Sequence, residues 1–239
     1  MSPRSIGIVA GGGGPLGSAS ILQAIIKECQ TQHHSCRSYE FPCIDFFSFP
    51  YSEMLLLNNA YTLPARELSY CIQQLKVIGM DMIVIPCLTL SSYLTFENYG
   101  VELIEVGSVM GNHFKKKEIN NPLILCTERA RQSGYCEKHF RCRYPDREIQ
   151  NELNCLIEKA LLGERVSIAA ILQKLPAGPI VSACTVLNAQ MQPVDDPRVL
   201  FSNNLLTTYV VKRSYSAPYT YSNHYNRLEQ VRGELSTSY

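Results

Sequence analysis

The stretch Met82-Ile-Val-Ile-Pro-Cys-Leu-Thr89 is a short apolar run that ends in a thiol and a hydroxyl, and it reads as a buried strand delivering Cys87 to a site. Gly178-Pro-Ile-Val-Ser-Ala-Cys-Thr185 repeats the design, with Cys184 followed by Thr185. The two cysteines stand roughly a domain apart. In open α/β sheets ligands bind outside the carboxyl ends of the strands. Two such strands, one from each half of the chain, can therefore aim their thiols at one ligand from opposite sides.

Working outward, Ser5-Ile-Gly-Ile-Val-Ala10 is a β-prone run that leads into Gly11-Gly-Gly-Gly-Pro-Leu-Gly17 and then into apolar residues at helical spacing, Ala19, Leu22, Ile25 and Ile26. This is strand, glycine loop, helix. Gly12, Gly14 and Gly17 also fit a dinucleotide fingerprint, but Pro15 removes an N–H and no clear acidic partner follows about 20 residues on. A second strand is expected around Ile44–Phe49. A helix follows from Pro64, with Leu68, Ile72 and Leu75 on one face and Gly79 to stop it. The strand to Cys87 comes next, so the order is βαβ.

Beyond Cys87 the pattern predicts a helix over Leu90–Tyr99 and a strand over Val101–Val106. Gly107–Asn121, with its glycines and lysines, reads as a crossing between domains. A fresh strand starts at Leu123. A long helix runs from about Asp146, its N-cap, to Leu162, with Gly163 just past the end. A short helix at Ser167–Lys174 leads to the Cys184 strand. Tyr209–Val211 reads as another strand and His224–Leu235 as a last helix docked on the first half.

A chain of 239 residues is comfortable for two domains, and 18% charged against 46% hydrophobic residues describes a globular protein. A net charge of +1 offers no footprint for nucleic acid or an anionic membrane. No apolar run approaches a bilayer span, and the N-terminus lacks the apolar core of a signal peptide. A cytosolic location is expected, with the ten cysteines as thiols; no Cys-x-x-Cys pair occurs. Cys136, His139 and Cys142 have spacings a zinc site could use, but supply only three ligands. A homodimer is left open.

Two facing cysteines suit racemisation. Inverting a carbon needs a base on one face and a protonated partner on the other. A thiolate and a thiol that swap roles can do this without metal or pyridoxal phosphate. Helix N-termini after each cysteine should favour the thiolate.

At these residues the chain resembles the aspartate/glutamate racemase superfamily, cofactor-independent enzymes with two cysteines. The family's opening Gly-Gly-Met-Gly-Pro-x-Ala-Thr is matched by Gly11-Gly-Gly-Gly-Pro-Leu-Gly-Ser18. Its Cys-Asn-Thr-Ala-His is similar to Cys87-Leu-Thr-Leu-Ser91, and its Gly-Cys-Thr-Glu to Ala183-Cys-Thr-Val186. A mid-chain motif resembles Cys126-Thr-Glu-Arg-Ala-Arg-Gln-Ser-Gly-Tyr135. The resemblance implies an α/β fold of two similar doubly wound, flavodoxin- or Rossmann-like halves, with the active site in the cleft between them. The expected division is 1–107 completed by 207–239, and 108–206. It implies Cys87 and Cys184 as catalytic residues, no cofactor, and an amino acid or related carboxylic acid as substrate. Gly13, Gly14, Glu53, Leu88, Thr89, Thr127, Ser133 and Thr185 are the expected substrate contacts.

The departures matter as much. Leu88 replaces an amide, Ala130 a hydroxyl, Val186 a carboxylate and Ser91 an imidazole. Leu161 stands where aspartate-type members often carry Lys, and Tyr51-Ser-Glu53 lacks the Arg of that loop. An acidic side chain should fit poorly, because a buried unpaired carboxylate is costly. The competing reading is a protein that keeps the fold and cleft but only binds a small carboxylic acid or a partner.

Overall fold

The computed structural model of the chain describes residues 3–12, 14–51, 62–95 and 98–216. Two parallel sheets organise it. The first contains β1 (Ile6–Ala10), β2 (Ile44–Ser48), β3 (Met82–Ile85) and β4 (Glu102–Glu105), in the order β2-β1-β3-β4. The second contains β5 (Leu123–Leu125), β6 (Ile180–Ser182) and β7 (Val199–Phe201), in that order. Every pair is parallel, with Ile6 of β1 opposite both Ile44 and Met82. The inner strands β1 and β3 are buried along their whole length, as a sheet covered on both faces requires. The chain thus forms two α/β halves.

Helices α1 (Gly14–His33) and α2 (Thr62–Val77) flank the first sheet, followed by the single turn α3 (Leu88–Ser91) and by α4 (Val106–Lys116). After β5 come α5 (Glu128–Gln132), α6 (Arg147–Leu161), α7 (Ala169–Lys174), α8 (Thr185–Gln190) and, after β7, α9 (Ser202–Tyr215). One apolar cluster joins the two sheets, with Ile6, Ile8 and Met82 from the first, Ile124 and Val181 from the second, and Leu206 and Val210 from α9. Separate clusters lie under α2 and under α6 and α7. From β1 the chain runs through α1 to β2 on one side and then returns through α2 to β3 on the other. The direction of winding therefore reverses between β1 and β3, and a crevice opens where their carboxyl ends part. The glycine loop and Cys87 both stand at that point.

Several expectations hold in detail. Asp146 caps α6 by accepting from the Ile149 N–H at 2.9 Å, and Gly163 follows the helix with φ 86°. Others are corrected. Gly107–Asn121 carries the chain from β4 of the first sheet to β5 of the second, but largely as a helix, because Val106–Lys116 is α4 with a buried face of Val106, Val109, Met110 and Phe114. Tyr209–Val211 lies inside α9, where Leu206, Val210 and Val211 recur at helical spacing against α1 and α4. Of the helix expected over Leu90–Tyr99 the described residues form only the end of α3, which stops where the Ser92 hydroxyl donates to the Thr89 carbonyl at 2.7 Å. β7 had no counterpart among the expected strands, and His224–Leu235 lies outside the described residues.

Helix α9 returns to the first half. The Arg4 N–H donates to the Ser214 carbonyl at 3.0 Å, the Ser214 hydroxyl donates to the Arg4 carbonyl at 2.7 Å, and Glu102 pairs with both Arg4 and Arg213. The 107/108 and 206/207 boundaries both fall inside helices, α4 and α9. No disulfide joins any of the ten cysteines. Among the described residues no helix is long and apolar enough to cross a membrane.

Candidate active site

Cys87 and Cys184 occupy matching corners. Each follows a buried parallel strand and forms the N-cap of a short helix, with φ and ψ of −96° and 121° at Cys87 and −104° and 115° at Cys184. Each carbonyl accepts from the fourth residue on, Ser91 at 2.8 Å and Asn188 at 2.9 Å. The corners are also joined. The Thr185 hydroxyl donates to the carbonyl of Pro86 at 2.9 Å, tying the residue after one cysteine to the residue before the other. α1 packs against α8, and a Cβ on Gly17 would stand 3.0 Å from the Val186 nitrogen, so a side chain here would press on the α8 backbone.

A cavity of about 730 Å³ lies between the corners. Both cysteines line it, together with Gly14, Leu88, Thr89, Thr127 and Thr185 of the expected contacts. The Cys87 sulfur lies close to the glycine loop, 3.3 Å from where a Gly12 Cβ would stand. Ser133 does not line the cavity. It sits at the far end of α5 and donates to the Ala130 carbonyl at 2.7 Å. Gly13 and Glu53 lie outside the described residues.

The Gly14 N–H is engaged within the loop, donating to the Gly11 carbonyl at 3.1 Å. Hydroxyls stand on the facing corners of the cavity. Thr89 and Thr127 share a hydrogen bond of 2.8 Å, and Thr127 also accepts from the Ala130 N–H at 3.1 Å as the cap of α5. One O–H of that pair is spent on the other, and Thr89 also reaches the Cys87 sulfur.

Removal from water dominates the thiols. Burial raises the pKa of Cys87, and the N–H groups of Leu90 and Thr89 and the Thr89 hydroxyl only partly oppose it. Cys184 is pushed up to about 12, chiefly by burial and further by Cys87, against the pull of the Leu187 and Val186 N–H groups. Neither sulfur takes a cap hydrogen bond of normal geometry. The helix ends therefore act in the expected direction but do not win, and both thiols are protonated at neutral pH. Cys126, also in the lining, is raised as well by burial and its neighbouring cysteines.

Sequence reading missed the polar half of the lining: Glu128, Arg129, Gln132, Asn154 and Glu158. Asn154, Ile157, Glu158 and Leu161 fall on one face of α6, a signal that the spacing carries but that points nowhere until the helix is docked. The Arg129 Nε donates to the Tyr93 hydroxyl at 3.2 Å, and its guanidinium lies 5.8 Å from that ring centre. Glu128 faces Arg131 at 3.9 Å and accepts from Gln132 at 2.9 Å. Tyr51 lines the other wall and donates to the Cys71 sulfur at 3.3 Å. Among the described residues no three His, Cys, Asp or Glu are grouped as a metal site; Cys136 is buried, its thiol pushed up to about 12 by that burial.

Solved structures with the same arrangement share little sequence with this chain. An aspartate racemase from Picrophilus torridus superposes with a TM-score of 0.63 at 15% identity, over 92% of this chain and 97% of that one. The fold is that of the aspartate/glutamate racemases. Two more examples agree on this racemase fold. A glutamate racemase from Campylobacter jejuni gives 0.60 at 11% identity, over 99% of this chain and all of that one. An aspartate racemase homologue from Pyrococcus horikoshii gives 0.59 at 14%, over 88% and 99%. No protein-family model matches the chain, and no curated protein sequence does. The likeness is thus one of backbone, and it covers both halves.

Proposed function

We propose that the chain is a cofactor-independent amino-acid racemase or closely related isomerase, with Cys87 and Cys184 as alternating base and acid. The observation that carries the reading is the pair of thiols at matching strand ends, joined through Thr185 and Pro86 and facing one cavity. In one direction a thiolate takes the proton from the α-carbon, so a C–H bond breaks and an S–H bond forms. The electron pair is held by the adjoining carboxylate, and the opposite thiol gives its proton to the other face. Both thiols start protonated, so one must first ionise. The α-ammonium of a bound amino acid is the opposite charge that would bring a buried thiol down.

A neutral side chain, or even a cationic one, is the preferred cargo. Leu88, Ala130, Val186 and the exposed Leu161 give the lining its apolar part, while Glu128 and Glu158 add negative charge. Arg129 is the opposing charge in the described lining, and it is bonded to Tyr93. The raised thiols also favour a second reading, a cleft that binds a small carboxylic acid without turning it over.

One experiment separates the two readings. Each L-amino acid is incubated with the protein and followed by chiral chromatography. Conversion of a neutral amino acid, reduced about 10²–10⁴-fold by Cys87→Ser or Cys184→Ser, supports the racemase. Saturable binding with no conversion of any amino acid supports the binding protein. Faster turnover of aspartate than of every neutral amino acid would contradict the specificity while leaving the two-cysteine chemistry in place.

A further inference from the structure

A second cavity, of about 530 Å³, shares no lining residue with the first. One wall is a stripe of α4, where Ser108, Gly111, Asn112 and Lys115 fall at i, i+3, i+4 and i+7. The facing wall is His139, Phe140 and Arg141, and residues 119–121 close the end. A Cβ on Gly111 would stand 3.1 Å from the His139 carbonyl oxygen, so glycine lets the two walls meet at the base.

The chemistry of this lining is one-sided. Lys115 and Arg141 carry positive charge from opposite walls, Asn112, Asn120 and Asn121 add amides, and no carboxylate lines the cavity. Neither Lys115 nor Arg141 has an ion-pair partner among the described residues. Glu105 stands behind His139 at 4.0 Å and is also taken up by the Tyr135 hydroxyl. The floor is apolar, formed by Ile119 and by Phe114 and Phe140, which meet edge to face at 4.8 Å.

We propose that this cavity binds a small aromatic phosphate, its flat body on Phe140 and Ile119 and its head between Lys115 and Arg141. Two cations on opposite walls suit a group with nearly two negative charges better than a carboxylate with one. The volume is within the range of small-molecule sites. This site is independent of the racemase reading, since it uses none of the same side chains.

The test is calorimetric titration of the full chain with phenyl phosphate, compared with inorganic phosphate and with phenol. Lys115 and Arg141 are exposed, so Lys115→Ala and Arg141→Ala should leave the melting temperature unchanged. Saturable binding of phenyl phosphate is expected to weaken about tenfold in each variant and to fall with added salt. Inorganic phosphate and phenol should each bind at least about tenfold more weakly than phenyl phosphate. Equal binding by the wild type and the double variant would overturn the proposal. So would inorganic phosphate binding as tightly as phenyl phosphate, or the absence of saturable binding in the wild type.

Discussion

Cys87 and Cys184 each end a strand with helix N–H groups ahead of them, an arrangement that by itself lowers a thiol pKa. In this cavity the loss of water outweighs those dipoles, and Cys184 ends at about 12. The sign gives a test of the free protein. Below its pKa a thiol loses a factor of about ten in thiolate for each pH unit, so alkylation of Cys184 by iodoacetamide should be slow at neutral pH and climb steadily to high pH. Exposed Cys155 should be labelled before buried Cys184 near pH 7.5, as peptide mass spectrometry would show. Cys184 reacting ahead of Cys155 at that pH would mean that the helix ends win after all. The thiols themselves were legible in the sequence, since a strand ending in Cys-x-Thr or Cys-Thr appears twice. Their ionisation was not, because it depends on how much water the second half excludes from the first.

At the scale of elements, the misreadings share a cause. Gly107 and Gly111 look like helix breakers in a string of letters, but in α4 they are places of close approach; a Cβ on Gly107 would stand 2.5 Å from the Tyr135 ring. Tyr209-Val-Val211 has the β-branched composition of a strand, yet α9 forms because Leu206, Val210 and Val211 bury one helical face in the central core. Tertiary burial overrode local propensity in both cases. The Cys-bearing strands, the Asp146 cap and the βαβ order were readable because each is fixed by a few neighbouring residues. The approach of α1 to α8 at Gly17 is a tighter test of element packing. Gly17→Val forces side-chain atoms against the Val186 backbone and should cost about 1–3 kcal/mol of stability, read from the denaturant midpoint. A variant as stable as the wild type would mean that α1 and α8 do not lie that close.

Across the whole molecule, the racemase fold survives at 11–15% identity in the three compared structures because its demands are few: buried parallel strands, a winding reversal, and two corners. Glu128, Arg129, Asn154 and Glu158 come together only when α5 and α6 are docked over the cavity, so their shared role could not be read from spacing alone. The central claim is that one carbon sits between Cys87 and Cys184 and exchanges its proton with them. The direct measurement is incorporation of deuterium from heavy water at the α-carbon of a neutral amino acid, followed by NMR in the wild type, the two single Cys→Ser variants and the double Cys→Ala variant. The account expects exchange in the wild type, different losses in the two directions for the single variants, and none in the double variant; exchange that persists undiminished in the double variant would contradict it.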